Sequence, residues 1–251
     1  KLDHLSGILN GLDTDLWNPA SDQWISSNFT LESLSRRAAN KTALQSELNL
    51  PVDPQTPLLA FVGRMEMQKG ADLVLKALTS LSTRGWQAVI LGTGKKDLEE
   101  EAFQLQAKFP DQVRAKMKFD TPLSHRIYAG ADMLLMPSRY EPCGLAQMIA
   151  MRYGCIPIAS ATGGLVDSII NHTKAETGTG FLFDMDLPNG LHKAIRHAFD
   201  AFSNPVLWLE IQRKAMTRDF SWRYSALEYA LLYERLINRK PYSKNLSGGG
   251  L

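Results

Sequence analysis

The chain has 251 residues, of which 44% are hydrophobic, 22% charged and 9% aromatic, enough for one large domain or two small ones. Its 28 lysine and arginine residues nearly balance its 26 aspartate and glutamate residues, which argues against a nucleic-acid binder held mainly by phosphate contacts. The two cysteines exclude a disulfide scaffold, and no Cys/His cluster in the sequence suggests structural zinc. No apolar run reaches the roughly 18 residues that span a bilayer.

Residues 1–57 are rich in turn signals such as Asn10-Gly11, and they contain one short predicted helix at 31–48 that ends before Pro51. We expect this part to be a connector that enters a domain. The chain starts at Lys1 without the charged-then-apolar pattern of a signal segment. We therefore expect a soluble piece of a longer protein from a reducing compartment.

From residue 57 onward, short apolar runs alternate with helical patterns. The predicted strands cover 58–63, 88–91, 113–119, 133–136, 156–159 and 181–183. The predicted helices cover 71–81, 97–108, 123–131, 144–153, 164–170, 188–201, 205–217 and 222–238. This alternation indicates an α/β fold, a Rossmann-like parallel sheet with helices on both faces. We assign 58–240 to this domain and 241–251, with its three glycines, to a flexible tail.

Ligands of such a sheet bind at the carboxyl ends of its strands, and candidate residues lie in the strand-to-helix loops there. The first loop carries Arg64 and Lys69, two cations suited to holding a diphosphate. The second loop carries Gly92 beside Thr93, small residues that let a ligand approach the backbone. The third loop places the aromatic ring of Phe119 where it can stack on a base.

The fourth loop, 137–145, is the most specific of the five. Glu141 suits sugar hydroxyls, and the amides of Gly144 and Leu145, at the start of a predicted helix, suit an anion. Cys143 lies near the same helix start, but no histidine is apparent to pair with it, so no nucleophile is predicted. The fifth loop is Ala161–Leu165, whose amides can close over a phosphate or sugar.

Each loop alone also has a plain structural interpretation, as solvated cations, a tight turn, a core aromatic residue or a capping carboxylate. We expect His125 to be a polar surface or capping residue. Taken together on one edge of a sheet, the five loops predict a site for a nucleoside diphosphate that carries a hydroxylated group.

The sequence resembles the family of starch synthases and bacterial glycogen synthases. The motifs that carry the resemblance are Lys69-Gly70, Ser-Arg-Tyr-Glu-Pro-Cys-Gly-Leu at 138–145, Thr-Gly-Gly-Leu at 162–165, Gly7–Gly11, Trp17–Ala20 and Asp219–Trp222. Members of this family are retaining glucosyltransferases of the GT-B fold that use ADP-glucose. The resemblance implies that this chain is the C-terminal half of such a fold, and that the site is completed by an N-terminal domain.

The resemblance also implies roles for single residues. Arg64 and Lys69 match the pair that stabilises the leaving diphosphate, and Glu141 matches the carboxylate on the transferred glucose, which makes these three the catalytic set. The implied nucleotide-sugar-binding positions are Gly63, Gly92, Thr93, Lys118, Phe119, Cys143, Gly144, Leu145, Thr162 and Gly163. No metal and no cofactor are expected, since ADP-glucose is the donor substrate. One departure is Ile149, where many GT-B enzymes have Glu and granule-bound synthases have Gln.

The resemblance implies that the parent enzyme transfers glucose from ADP-glucose to the non-reducing end of an α-1,4-glucan with retention, and that the isolated fragment is inactive. Two alternatives stay open, a UDP-glucose-dependent GT-B enzyme and a catalytically silent glucan-binding or scaffolding module. The expected partners are ADP or ADP-glucose, starch or maltooligosaccharide, and the N-terminal domain, but neither nucleic acid nor a membrane. The expected location is the plastid stroma or the starch granule, with the bacterial cytoplasm as the alternative.

Overall fold

The structure is a computed structural model that describes residues 5–81, 85–173 and 176–238. The predicted tail at 241–251 and the end of the assigned domain at 239–240 lie outside the described residues. No described helix is long and apolar enough to cross a membrane.

Within these ranges six strands form one sheet. They are β1 (Leu58–Val62), β2 (Gln87–Leu91), β3 (Val113–Lys116), β4 (Met133–Met136), β5 (Ile156–Ser160) and β6 (Phe181–Phe183). All neighbouring strands pair in parallel, in the order β3-β2-β1-β4-β5-β6. Every residue of β2, β4 and β5 is buried, which is why these strands read as continuous apolar runs.

The helices of the described ranges lie between and after these strands. They are α1 (Arg37–Glu47), α2 (Ala71–Ser80), α3 (Lys96–Lys108), α4 (Thr121–Gly130), α5 (Ala146–Arg152), α6 (Gly164–Ser168), α7 (Gly190–Phe202), α8 (Pro205–Met216) and α9 (Trp222–Asn238). One group of helices packs as α1 on α4, α4 on α5 and α5 on α8, whereas α2 packs on α3 and α7. The predicted Rossmann-like α/β fold, with helices on both faces of a parallel sheet, is confirmed.

The strand order reverses at the centre of the sheet. Strand β1 lies between β2 and β4, so the chain winds outward in one direction after β1 and in the other direction after β4. A reversal of this kind leaves a crevice at the carboxyl ends of the strands. The loops that carry the predicted site residues open at this edge.

Many of the predicted boundaries differ from the structure, mostly by one or two residues, and three of the differences have a visible cause. Strand β3 ends at Lys116 because the backbone turns there and Asp120 caps α4 by accepting from the amide of Leu123 at 2.8 Å. Helix α1 begins at Arg37 rather than 31, after a short 3-10 turn. Helix α5 begins at Ala146 rather than 144, because Gly144 has a φ of 73°, outside the helical region.

The amino edge of the sheet is held by a buried charge cluster. Asp132, just before β4, lies 2.7 Å from Lys41 Nζ and 3.9 Å from the guanidinium of Arg37, and both cations come from α1. Its carboxylate also accepts from the amide of Leu58 at 2.8 Å. Burial raises the pKa of nearby Cys155 to about 12, so this thiol stays neutral.

Candidate active site

A cavity of about 330 Å³ lies in the crevice beside the carboxyl ends of β1, β2 and β3, a volume typical of small-molecule sites. The residues from three predicted loops that line it are Gly63, Arg64, Gly92, Thr93, Lys118 and Phe119. Trp17 and Tyr128 supply two further aromatic walls that the sequence analysis did not predict for the site. The structure thus brings five predicted nucleotide-sugar positions and the predicted catalytic residue Arg64 to one cavity.

The first and second loops lie directly against each other. A Cβ atom on Gly92 would lie 1.8 Å from the carbonyl oxygen of Gly63, so only glycine fits here without moving the backbone. The amide of Met65 donates to the carbonyl of Thr93 at 2.9 Å. This contact continues the pairing of β1 and β2 beyond the strands and fixes the position of Arg64.

The cations of the cavity are exposed and each has a neighbouring carboxylate. Arg64 lies 2.5 Å from Glu66, with 55% of the arginine side chain exposed. Lys118 lies 2.6 Å from Asp120, and this hydrogen bond holds the pKa of Asp120 below its usual value. Phe119 is 91% exposed, so its ring is free to meet a ligand and takes no part in the core.

The first and fourth loops meet through an ion pair between two predicted catalytic residues. Lys69 Nζ lies 2.5 Å from Glu141 Oε2, and Ser138 Oγ donates to the same oxygen at 3.1 Å. Glu141 and Ser138 are both buried, whereas a quarter of the Lys69 side chain is exposed. The carboxylate is thereby held by two partners, and neither Lys69 nor Glu141 is among the residues that line the cavity.

Arg139 holds these two loops together, a role that the sequence analysis missed. Its guanidinium makes two hydrogen bonds of 2.8 Å to the carboxylate of Asp72 in α2, and this contact raises the pKa of Arg139. Its amide donates to the carbonyl of Gln68 at 2.8 Å, within the loop that carries Lys69. The residue lies in the most specific motif, but its partners become visible only once the sheet is assembled.

The fifth loop packs on the fourth. A Cβ atom on Gly163 would lie 2.2 Å from the carbonyl oxygen of Glu141, and the amide of Gly164 donates to that oxygen at 3.0 Å. Thr162 begins the turn by accepting from the amide of Leu165 at 3.1 Å. The predicted positions of the fifth loop therefore lie beside the backbone of Glu141.

The end of the fourth loop is held by a buried glutamine. The amide of Gln147 donates to the carbonyls of Cys143 at 3.0 Å and Gly144 at 2.8 Å. The half-buried sulfur of Cys143 accepts from the amide of Asn10 at 3.4 Å, which ties the connector to the site. Leu145 is 44% exposed and precedes α5, whose first-turn amides have no partners within the helix.

The expectation for His125 is wrong, because this residue is fully buried. Its ring stacks on Trp17 with centroids 4.0 Å apart, and its Nδ1 lies 2.7 Å from the carboxylate of Asp22. The hydroxyl of Tyr153 donates to that carboxylate at 2.6 Å, and burial raises the pKa of the tyrosine. This network fixes Trp17 as a wall of the cavity; no local sequence signal pairs residues so far apart.

Among the described residues, no group of three or more His, Cys, Asp or Glu side chains is placed to hold a metal ion. The chemistry that the site offers consists of exposed cations, one fixed carboxylate, helix-start amides and aromatic walls. That combination suits an organic diphosphate with a hydroxyl-rich substituent.

Comparison with known proteins identifies the family. The family model described as "Glycosyl transferases group 1" matches residues 46–202, and the chain belongs to this family. It is 45% identical to a glycogen synthase of Anaeromyxobacter sp. strain Fw109-5, over 92% of this chain and 49% of that protein. It is 42% identical to glycogen synthase 1 of Synechocystis sp. PCC 6803, over 94% of this chain and 50% of that protein.

Solved structures give the same result. The catalytic domain of starch synthase IV from Arabidopsis thaliana, bound to ADP and acarbose, superposes with a TM-score of 0.85 at 39% identity, covering 93% of this chain and 49% of that one. Anabaena Alr3699/HepE in complex with UDP-glucose has a TM-score of 0.67 at 17% identity, covering 94% and 58%, and this likeness shows the fold alone.

The resemblance to glycogen and starch synthases is therefore confirmed. The chain spans about half the length of the curated relatives it matches, as expected for one half of a GT-B fold. These curated relatives come from bacteria, so they give no support to the expected plastid location.

Proposed function

We propose that this chain is the donor-binding half of a glucosyltransferase that moves glucose from ADP-glucose to the non-reducing end of an α-1,4-glucan with retention. The curated glycogen synthases and the starch synthase bound to ADP and acarbose support this assignment. The observation that carries it is the contact of Lys69 with Glu141, which joins the fourth loop to the loop that carries Arg64. It supports the proposal because the cation that we assign to the phosphates and the carboxylate that we assign to the sugar lie side by side.

In this proposal the cavity receives the nucleoside, with the rings of Trp17 and Phe119 available for stacking. The diphosphate then lies toward Arg64 and Lys69, and the glucose lies beside Glu141. ADP-glucose is itself the donor substrate, and the reaction as proposed needs no cofactor.

The chemistry follows from charge. When the bond between glucose and phosphate breaks, negative charge grows on the diphosphate and positive charge grows on the sugar. Fixed cations such as Arg64 and Lys69 stabilise this separated state more than the intact donor, which lowers the barrier. Glu141 lies on the sugar side, where its carboxylate stabilises the positive sugar.

The hydrogen bonds of Glu141 favour an orienting and electrostatic role over a nucleophilic one. A carboxylate oxygen that is ion-paired with Lys69 and hydrogen-bonded to Ser138 is a weaker nucleophile than a free one. We therefore favour attack of the glucan hydroxyl on the same face that the phosphate leaves, with the departing phosphate accepting the proton.

Ile149 leaves the nucleotide side of the site without a polar side chain at one position. It lies buried in α5, at the position that bears a polar residue in many GT-B enzymes according to the resemblance. We propose that nucleotide contacts come instead from the loops that line the cavity. The bacterial relatives favour a bacterial cytoplasmic setting for the parent enzyme over a plastid one.

A donor comparison tests the proposal. The intact protein that contains this chain is titrated with ADP, UDP and GDP in a thermal-shift assay and assayed for glucan elongation with the matching sugar nucleotides. We expect ADP to give the largest rise in Tm, and ADP-glucose alone to support elongation. Equal or greater effects of UDP would favour the UDP-glucose enzyme. Glucan co-sedimentation without any nucleotide response would favour the silent binding module.

A further inference from the structure

Arg64 already has an anionic partner inside its own loop. Its guanidinium lies 2.5 Å from Glu66 Oε2 and donates to Gln68 Oε1 at 3.3 Å. The carboxylate of Glu66 therefore already binds the guanidinium group that the proposed function assigns to the diphosphate.

The backbone of Glu66 is fixed by the turn that also positions Lys69. Its carbonyl accepts from the amides of Lys69 at 3.1 Å and Ala71 at 3.3 Å, and its own amide donates to the carbonyl of Arg64 at 2.8 Å. These bonds fix the backbone of Glu66 close to Arg64, so only its side chain can move when a ligand arrives. Only 32% of its side chain is exposed, which limits the screening of that charge by water.

Glu66 differs in this respect from Glu141, the partner of Lys69. Glu141 is buried, is fixed by Ser138 and has a proposed use in contacting the sugar. Glu66 lies on the cation side of the site, where an anion only opposes a bound diphosphate. A carboxylate at this place can hold the guanidinium of Arg64 in place of a phosphate.

Resting on the proposed function, we propose that Glu66 is an intramolecular competitor with the diphosphate for Arg64. It weakens the binding of donor and product alike. The pair is partly exposed, and exposed pairs of this kind change an equilibrium by roughly two- to five-fold.

The test measures ADP binding to the intact protein by isothermal titration calorimetry. We expect Glu66→Gln to lower the Kd of ADP about two- to five-fold and to leave the Kd of adenosine, which lacks phosphates, unchanged. Glu101→Gln is the matched control, because it removes the same charge from an exposed position on α3. An unchanged or raised Kd of ADP in Glu66→Gln, or an equal fall in Glu101→Gln, would overturn the proposal.

A double-mutant cycle shows whether the effect passes through Arg64. In the Arg64→Gln background, Glu66→Gln is expected to leave the Kd of ADP unchanged. The same fall in that background would mean general repulsion and would contradict competition for Arg64. Failure of the unaltered protein and of Glu66→Gln alike to bind ADP would refute the proposed function itself, which separates the two failures.

Discussion

The two edges of the sheet carry the same kinds of charged side chain in opposite surroundings. At the carboxyl edge, Lys69 pairs with Glu141 in a crevice where a quarter of the lysine side chain meets solvent. At the amino edge, Asp132 pairs with Lys41 and Arg37, and each of these three side chains is 6% exposed.

The difference between the two edges indicates which charged side chains stabilise the fold and which are available to bind a ligand. Every group of the amino-edge cluster has further backbone partners: Lys41 donates to the carbonyl of Pro54 at 2.9 Å, and Arg37 donates to that of Tyr153 at 2.8 Å. Removing one charge there leaves the others buried and uncompensated. At the carboxyl edge, water or a phosphate can replace a lost partner, so these cations can exchange one anion for another.

The largest effect is expected at the amino edge. Asp132→Ala leaves the two buried cations of α1 without their carboxylate and is expected to lower the free energy of unfolding by about 3–5 kcal/mol. Urea-induced unfolding measures it. The exposed-edge control, Asp72→Ala, is expected to cost about 1 kcal/mol or less. An equal loss of unfolding free energy in the two variants would contradict the difference between the two edges.

The complementary change at the carboxyl edge affects turnover. Lys69→Ala removes a fixed cation from the leaving diphosphate and is expected to lower kcat on the order of 10²–10³-fold. Buried Glu141 keeps the hydrogen bond from Ser138, and water can reach the place of the partly exposed Lys69 side chain. The free energy of unfolding should therefore fall by less than that of Asp132→Ala. Steady-state kinetics of the intact protein check this, with exposed Lys76→Ala of α2 as the control. Unchanged turnover in Lys69→Ala would contradict the assigned role.

The close contact between the first two loops predicts a smaller effect. Gly92→Ala drives a Cβ atom into the backbone of Gly63 and is expected to cost about 1–3 kcal/mol of unfolding free energy, with weaker ADP binding. Gly63→Ala is the control for the unfolding free energy alone, because its Cβ would meet only the ring of Phe61 at 3.6 Å but Gly63 itself lines the cavity. Thermal unfolding with and without ADP separates the two variants, and equal tolerance of both would refute the contact.

The smallest effect concerns Asp120 and pH. The hydrogen bond from Lys118 lowers its pKa in the folded state, so its ionised form adds stability above the unfolded value of about 3.9. That stability, about 0.5 kcal/mol for an exposed pair, is lost as pH falls through the folded pKa. Asp120→Asn keeps the helix cap, so its deficit against the unaltered protein should shrink below about pH 4. A deficit that is independent of pH would exclude the charge as its source.

Much of the fold could be predicted from the sequence because buried parallel strands are continuous apolar runs. Strands β4 and β6 have the predicted bounds, and the carboxyl-edge loops follow from the alternation. The prediction of β3 as far as Phe119 failed because an apolar and aromatic pattern does not show where the backbone turns. Its end depends on the cap that Asp120 provides for α4.

The types of the site residues could be predicted from the sequence, but the contacts between these residues could not. Arg64, Lys69 and Glu141 could be singled out because their types and positions suit a sugar nucleotide, and their roles stay predictions. Three features of the site depend on contacts between distant segments of the chain. They are the ion pair of Lys69 with Glu141, the ion pair of Arg139 with Asp72, and the stacking of buried His125 on Trp17. Local sequence patterns carry no information on such contacts.

The most direct test of the central claim is a crystal structure of the protein with ADP. We predict that the diphosphate lies within hydrogen-bond distance of Arg64 and Lys69, with the base in the cavity that Trp17 and Phe119 line. A diphosphate bound elsewhere, such as the cavity beside α7 that His172 and His197 line, would contradict it.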